Sequence, residues 1–351
     1  MPPMVADGNG SSSIAIARED GDRRAQALAA LLPAEPYLDY ANFPPIARGG
    51  GTVALHARWW RGASEVLVAR DGAGHPLAAL RFAPRDFESS FFGIPMAKID
   101  APLAVADEAR RLPALRALYA ALLASLGADG FQHAAAAGST QDRVASWVLQ
   151  ELGGFHVGTR ISWLAPLTGV GPEPVLPPGL RLEILDRAAI PTLPRRAWQR
   201  LHEWTRDAFD RGPFVFDLTV PSQRAAELYQ AWTEKALTGE WADVLLLIRD
   251  ARDEVVAFHA MLLLPELSDA AGSGVLGRGI GATLPDHRGL FTALQHASAY
   301  HRPLGAGWLE NETQSATLAT INVFGRLGHR CFRSTNTLHF PLDASGPVRS
   351  R

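Results

Sequence analysis

The chain has 351 residues, 47% of them hydrophobic, with 34 basic and 36 acidic side chains and a formal net charge of −2. That length supports two ordinary domains with cores of their own, and no apolar run approaches the length of a membrane-spanning helix, so the sequence calls for no membrane. Balanced charge, with no stretch in which Arg alternates with aromatics, argues against nucleic acid as a partner.

In chain order, residues 1–20, beginning MPPMVADGNGSSS, have neither a basic nor an apolar signal region and read as a disordered tail. Residues 22–32 can form a short helix, and the Pro-rich piece that follows reads as loop up to Gly51. Strand-like runs occupy 52–60, 65–70 and 76–82, the last two joined by the turn Asp-Gly-Ala-Gly at 71–74. The latter half of RDFESSFFGIPMAKID should be another strand. Residues 105–126 have helical apolar spacing, with Pro113 marking a kink or the start of the main run. A small-residue strand at 131–137, a helix at 141–152 and a strand at 155–164 complete the first half. Residues 168–179, with four prolines and three glycines, read as a linker. The expected division is therefore a domain at 21–167 and a second at 180–345.

The second half predicts a strand at 180–185, helices at 195–209 and 221–237, and a hairpin of strands 244–249 and 254–264. A strand at 274–284, a tight turn at 285–289 and a helix at 290–300 come next. A strand at 306–313, a helix at 317–327 and a long strand at 330–342 end the chain. ELGGFHVGTRISWLAPL closes the first half much as RLGHRCFRSTNTLHFPL closes the second, which points to an internal duplication.

Three stretches carry chemistry. The strand, turn and helix of 274–300 would aim free backbone N–H groups and the positive end of a helix dipole at one point, which suits a pyrophosphate; the alternative is a purely structural turn. Glu310 and Glu312 alternate on a predicted strand and so share a face, with Asn311 on the other. Carboxylates there can accept an ammonium proton directly or through water, or they are solvated strand-end charge. Asp217 and Glu227 are second-line carboxylates. Histidine spacing offers no zinc set and Cys331 is the single cysteine, so the sequence calls for no metal, excludes an internal disulfide and fits a reducing cytoplasm. Trp198, Trp204, Trp232 and Trp241 read as packing groups.

Three motifs then carry a resemblance. FESSFFG at 87–93 is similar to a WDSxFFG motif. Residues 208–244 resemble an Arg-Phe…Asp-Pro…Tyr-x-x-Trp segment through Arg211, Phe216, Asp217, Tyr229 and Trp232. ETQSATLATINVFGRLGHRCFRSTNTLHF resembles a Thr-Gln…Leu-Gly-Phe…Thr-Leu-His ending. Together they resemble the GNAT superfamily of acyl-CoA-dependent N-acyltransferases, in particular nucleotide-sugar acetyltransferases of the dTDP-fucosamine type. The resemblance implies an α/β fold with a mixed sheet and two tandem GNAT-like domains. The first would be degenerate, because acidic Asp107 and Glu108 begin its long helix and disfavour a phosphate there.

The same resemblance implies acetyl-CoA or another acyl-CoA as co-substrate and a primary amine on a small molecule, such as an amino sugar or specialised metabolite, as acceptor. It assigns the acyl-CoA to Ala282, Thr283, Leu284, His287, Arg288, Gly289, Leu290, Phe291, Thr292 and Phe324. The acceptor would meet Arg211, Phe216, Asp217, Tyr229 and Trp232. Glu310 or Glu312 would be a water-linked base, and backbone near Ala282 and Thr283 the oxyanion donor. The family's turn reads Arg/Gln-x-x-Gly-x-Gly/Ala. With Gly289 as its central glycine, Asp286 stands at the Arg/Gln position and Phe291 at the small one; with a shorter loop, Arg288 takes the Arg role. Phe324 stands where relatives often carry a Tyr acid, and Asn322 could donate a hydrogen bond but no proton. A GNAT-like binding protein without catalysis is the alternative function.

Overall fold

The structure, a computed structural model, describes residues 4–5, 14–47, 51–63, 65–170, 173–343 and 346–347. In order the chain forms β1 (Met4–Val5), β2 (Ala15–Arg18), α1 (Gly21–Leu31), α2 (Pro44–Ala47), α3 (Gly51–Arg61), β3 (Glu65–Arg70) and β4 (Pro76–Pro84). There follow α4 (Asp86–Phe92), β5 (Met96–Ile99), β6 (Leu103–Ala104), α5 (Glu108–Ala128), β7 (His133–Ser139), α6 (Arg143–Glu151) and β8 (Phe155–Pro166). The second half contributes β9 (Arg181–Asp186), α7 (Arg195–Ala208), α8 (Ser222–Leu237), β10 (Val244–Arg249), β11 (Val255–Leu263), α9 (Pro265–Ala271) and β12 (Val275–Thr283). After these come α10 (Leu290–His301), β13 (Trp308–Gln314), α11 (Leu318–Arg326), β14 (Arg330–Asp343) and β15 (Gly346–Pro347).

By packing, residues 1–159 with 334–351 make one unit and residues 160–333 the other. These divisions fall inside β8 and β14, whereas the sequence suggested a cut at 168–179. Pairing explains why. From Arg160 onward β8 runs antiparallel to β13, and from Thr335 onward β14 runs antiparallel to β7. Each unit thus takes its last strand from the end of the other repeat.

In the first unit, β2, β3, β4 and β5 pair antiparallel in that order, and β5 pairs parallel with β7 along its whole length, from Met96↔His133 to Ile99↔Ala136. The amphipathic α5 lays Leu115, Leu118, Tyr119, Leu122 and Leu126 on this sheet, fully buried. Its N-terminus is closed by its own sequence, since the Asp107 carboxylate accepts the Ala109 N–H at 3.0 Å. Pro113 lies inside the helix without ending it. FESSFFG folds as α4 with Gly93 in the left-handed region behind it, and the Ser89 hydroxyl accepts the Met96 N–H at 2.9 Å, tying the helix to β5. His339 is a fully buried strand residue that meets the His133 ring edge-on at 4.6 Å.

Two expectations for this unit are corrected. Residues 52–60 are helix, not strand: Thr52, Leu55, His56 and Trp60 are the buried positions of α3, a helical spacing that a run of apolar residues hid. Within the expected tail, Ala15–Arg18 is a strand that pairs with Leu67–Arg70, since its backbone completes the edge of β3. The rest of the expected tail lies mostly outside the described residues.

The second unit repeats the pattern. β9, β10, β11 and β12 pair antiparallel in order, β12 pairs parallel with β13, and β13 pairs with the end of β8. β10 is buried at every position, which suits a strand covered on both faces. α7, α8 and α10 pack on this sheet, and Trp198, Leu201, Leu246, Phe258, Leu294 and Leu309 belong to its core. The short α9, opened by Pro265 and closed by Gly272 in the left-handed region, was not foreseen.

Candidate active site

The feature that positions everything else is where β12 leaves β13. The two strands are in register only at Val275↔Trp308 and Leu276↔Leu309. Beyond that point β12 continues to Thr283 on β11, while β13 continues to Gln314 on β8. A wedge therefore opens between them, bordered by the ladder edge of β12 from Gly277 and that of β13 from Glu310. In the first unit the equivalent pair, β5 and β7, stays closed.

A bulge shapes the β12 side. Its register against β11 shifts between Ala260 and Leu262, so that Arg278 and Gly279 share one partner position. Arg278 takes a positive φ of 49°, and a Cβ on Gly279 would lie 1.9 Å from the Ala260 carbonyl oxygen, which only glycine avoids.

The strand then ends in the turn singled out by the sequence. A short 3-10 turn, Pro285–His287, leads through Gly289 into α10, whose N-terminus has no side-chain cap. Uncapped first-turn N–H groups are donors that an anion can satisfy. Trp204 on α7 fixes the approach, its indole N–H donating to the Thr283 carbonyl at 2.9 Å. Asp286 in this turn pairs with Arg200 at 3.4 Å, so its charge is partly offset. Arg288 and Gly289 are exposed, and Thr283, His287, Phe291 and Thr292 are half-buried. Ala282, Leu284 and Leu290 point into the core and can offer only backbone.

On β13 the two faces do different things. Asn311 donates to Gln295 of α10 at 2.9 Å, and Gln295 in turn meets Nδ1 of His259 on β11 at 3.3 Å, all three being buried. Burial, with the nearby His329, pushes the His259 pKa down to about 4, so its imidazole is neutral at pH 7. On the opposite face Arg333 donates through Nη2 to Glu310 at 3.0 Å and to Glu312 at 2.8 Å, and also to the Ser162 hydroxyl. Glu312 additionally accepts from Ser162 at 3.1 Å and pairs with Arg160 at 3.4 Å. Burial alone would push the Glu312 carboxyl up, but Arg160, Arg333, the Ser162 hydroxyl and Arg278 together hold it below the ordinary carboxylate value. The Glu310 side chain is 1% exposed and that of Glu312 is 21%, so of the two only Glu312 can meet a ligand.

Phe324 is buried between Trp163 at 5.8 Å, Phe291 at 6.0 Å and His329, on which it stacks at 5.2 Å. His329 is itself pushed down to about 4 by burial and by His296, and a neutral imidazole is a poor acid. Asn322, two residues earlier on α11, is exposed and so points away from Phe324.

The segment expected to meet an acceptor is spread out. Arg211 donates to the Ala316 carbonyl in the turn after β13, which brings the loop between α7 and α8 to the far end of that strand. Phe216 is exposed in the same loop, while Asp217 is buried and accepts the Thr219 N–H at 2.8 Å. Tyr229 stacks on Phe209 at 5.3 Å and meets Trp232 edge-on at 4.9 Å, in a packing cluster. Gly212 is needed there, since a Cβ would lie 1.6 Å from the Tyr229 hydroxyl oxygen. Glu227 pairs with Arg224 on the surface of α8.

Sequence reasoning missed Arg278, Arg333, Arg160, Ser162, Gln295 and His329. Only the arginines carried a signal, as charges within predicted strands, and their partners come from strands far apart in sequence.

No protein-family profile matches this sequence, and no curated protein does either. Solved structures do. A GCN5-related N-acetyltransferase from Sphaerobacter thermophilus is similar with a TM-score of 0.57 and 15% identity, over 96% of this chain and 98% of that one. A tandem GNAT protein from the clavulanic acid biosynthesis pathway is similar with a TM-score of 0.53 and 16% identity, over 95% and 99% of the two chains. A GCN5-related glucosamine N-acetyltransferase region of a fungal multi-domain GH3 beta-N-acetylglucosaminidase has a TM-score of 0.53 at 12% identity, over 95% of this chain and 39% of that protein. At these identities the likeness is one of fold: two tandem GNAT-like α/β domains with mixed sheets. No helix among the described residues is long and apolar enough to cross a membrane.

Proposed function

We propose that the chain is an acyl-CoA-dependent N-acyltransferase of the cytoplasm. It would move an acetyl or other acyl group to a primary amine on a small molecule such as an amino sugar, dTDP-linked ones included, or a specialised metabolite. The observation that carries this reading is the wedge between β12 and β13, which ends at the uncapped start of α10.

The residues present fit an acyl-CoA. The open ladder edge of β12 can pair with an amide-bearing arm as another strand would. The backbone N–H groups at Arg288, Gly289 and Leu290 can receive a pyrophosphate, with the exposed Arg288 guanidinium beside them. Backbone at the Arg278–Gly279 bulge, or further along at Ala282 and Thr283, would donate to the thioester oxygen as negative charge develops on it.

In the transfer the amine nitrogen attacks the thioester carbon, the C–N bond forms and the C–S bond breaks. The nitrogen's proton passes to water beside Glu312. Because the Glu312 carboxyl is held below its ordinary value, it serves better to attract an ammonium than to deprotonate one. Phe324 supplies no acid, so sulfur leaves as thiolate, which a thiol of ordinary pKa about 8.5 tolerates. Deprotonation of the amine would then limit the rate at neutral pH.

A second reading, a GNAT-like binding protein, draws support from Phe324 at the acid position and from Glu310 being locked to Arg333. Thiol release from acetyl-CoA with a panel of primary amines decides between them. The enzyme reading expects amine-dependent release, whereas a saturable rise in melting temperature with acetyl-CoA but no release with any amine would favour the binding protein.

A further inference from the structure

Charge in the wedge is unevenly matched. Glu310 and Glu312 are answered by Arg333 and Arg160, through the contacts given above. Arg278 is on the β12 bulge, next to Gly277, where a Cβ would lie 3.0 Å from the Glu310 Cβ; it is thus a third cation beside this cluster, near enough for its charge to bear on the Glu312 carboxyl. It is exposed, and has no hydrogen-bond or ion-pair partner among the described residues. Of the three arginines beside these two carboxylates, Arg278 is the one that faces solvent without such a contact among the described residues.

The backbone at Arg278 supports a role for the side chain. Its φ of 49° is one that a side chain rarely adopts and glycine adopts freely, and Gly277 and Gly279 flank it. A bulge with an arginine in the left-handed position re-aims that side chain out of the ordinary strand alternation. Among the described residues the hydrogen bonds to Glu312, from Ser162 and Arg333, both go to Oε1, so Oε2 can accept from a further donor.

We propose that the acceptor is an amine bearing an anionic substituent, a carboxylate or a phosphate, with its ammonium received by Glu312 Oε2 and its anion by Arg278. This rests on the acyltransferase reading for what happens next, but the recognition itself does not need the acyl donor. A guanidinium matches the two-oxygen edge of either anion. The pairing of opposite charges at Glu312 and Arg278 also discriminates against neutral amines, for which Arg278 would be left solvated and unused.

The test uses the full chain and matched pairs of amines: β-alanine with β-alaninamide, and a dTDP-linked amino sugar with the free amino sugar. Calorimetry reads binding of each without and with acetyl-CoA, and thiol release reads kcat/KM. The wild type is expected to favour the anionic member of one pair at least tenfold, and the pair that shows this tells carboxylate from phosphate. R278G, which keeps the left-handed backbone and removes the charge, should cut that preference at least tenfold, and R278K should restore part of it. Equal preference for both members of both pairs, or a preference unchanged in R278G, overturns the proposal. Acetyl-CoA that fails to bind while the anionic preference persists and depends on Arg278 would instead overturn acyl transfer and leave the acceptor site standing.

Discussion

The indole N–H of Trp204 donates to the carbonyl of Thr283 at 2.9 Å, joining α7 to the last residue of β12. A helix thereby holds the end of the strand from which the turn and α10 depart. W204F keeps most of the packing and removes the bond, so urea denaturation should show a loss of about 0.5–1.5 kcal/mol. Because the bond acts at the mouth of the turn, KM for acetyl-CoA should rise in the same variant, and an unchanged KM would separate Trp204 from the site.

Arg333 reaches both Glu310 and Glu312 through one nitrogen, Nη2. In R333M the buried Glu310 loses that cation, and breaking a buried pair from one side costs about 3–5 kcal/mol. E310Q/R333M should recover a good part of it, because the buried carboxylate is then gone and Glu312 keeps Arg160. Chemical denaturation of the two singles and the double closes the cycle, and additive effects would mean that the pair is not coupled.

His259 ties acid stability to the network beneath α10. Its folded pKa of about 4 lies below the ordinary 6.5, so between those values the unfolded chain holds more protons. Stability from this group is full above pH 6.5 and is lost as pH falls toward 4, by up to about 3 kcal/mol. His329 contributes in the same direction over the same window. H259N, which can keep the contact to Gln295, should flatten the fall in melting temperature between pH 6.5 and 4; an unchanged slope would show that His259 does not stay neutral.

Asp286 at the turn is offset by Arg200, a half-exposed pair. In R200A the free carboxylate should raise KM for acetyl-CoA about two- to fivefold at low salt, the scale of an exposed ion pair worth about 0.2–1 kcal/mol, and added salt should erase the effect. D286N should lower KM. The opposite order of the two variants would place the pyrophosphate elsewhere.

Much of this was legible in the sequence because it is local. The strand, turn and helix from Val275 to His301 were set by consecutive residues, and the alternation of Glu310, Asn311 and Glu312 gave their faces. What sequence could not give was long-range. Arg200 meets Asp286 across 86 positions, and Arg333 reaches Glu310 because β14 begins where β13 needs a cation. Gly51–Arg61 is a helix where the sequence suggests a strand, because its residues are apolar enough to fit either, and only its buried spacing tells the two apart. The parting of β12 from β13 was implied by the resemblance alone, since no local pattern marks where two strands that pair at Val275↔Trp308 and Leu276↔Leu309 separate, and the bulge of β12 against β11 left no sign in the sequence.

We place an acyl-CoA in the wedge and turn of the second unit, and not at the closed β5–β7 pair of the first. Isothermal titration of the full chain with acetyl-CoA tests it most directly. Saturable binding is expected at one site per chain, weakened by D107N no more than wild-type error and weakened at least several-fold by R288E. No saturable heat at millimolar acetyl-CoA, or two equivalent sites per chain, would contradict it.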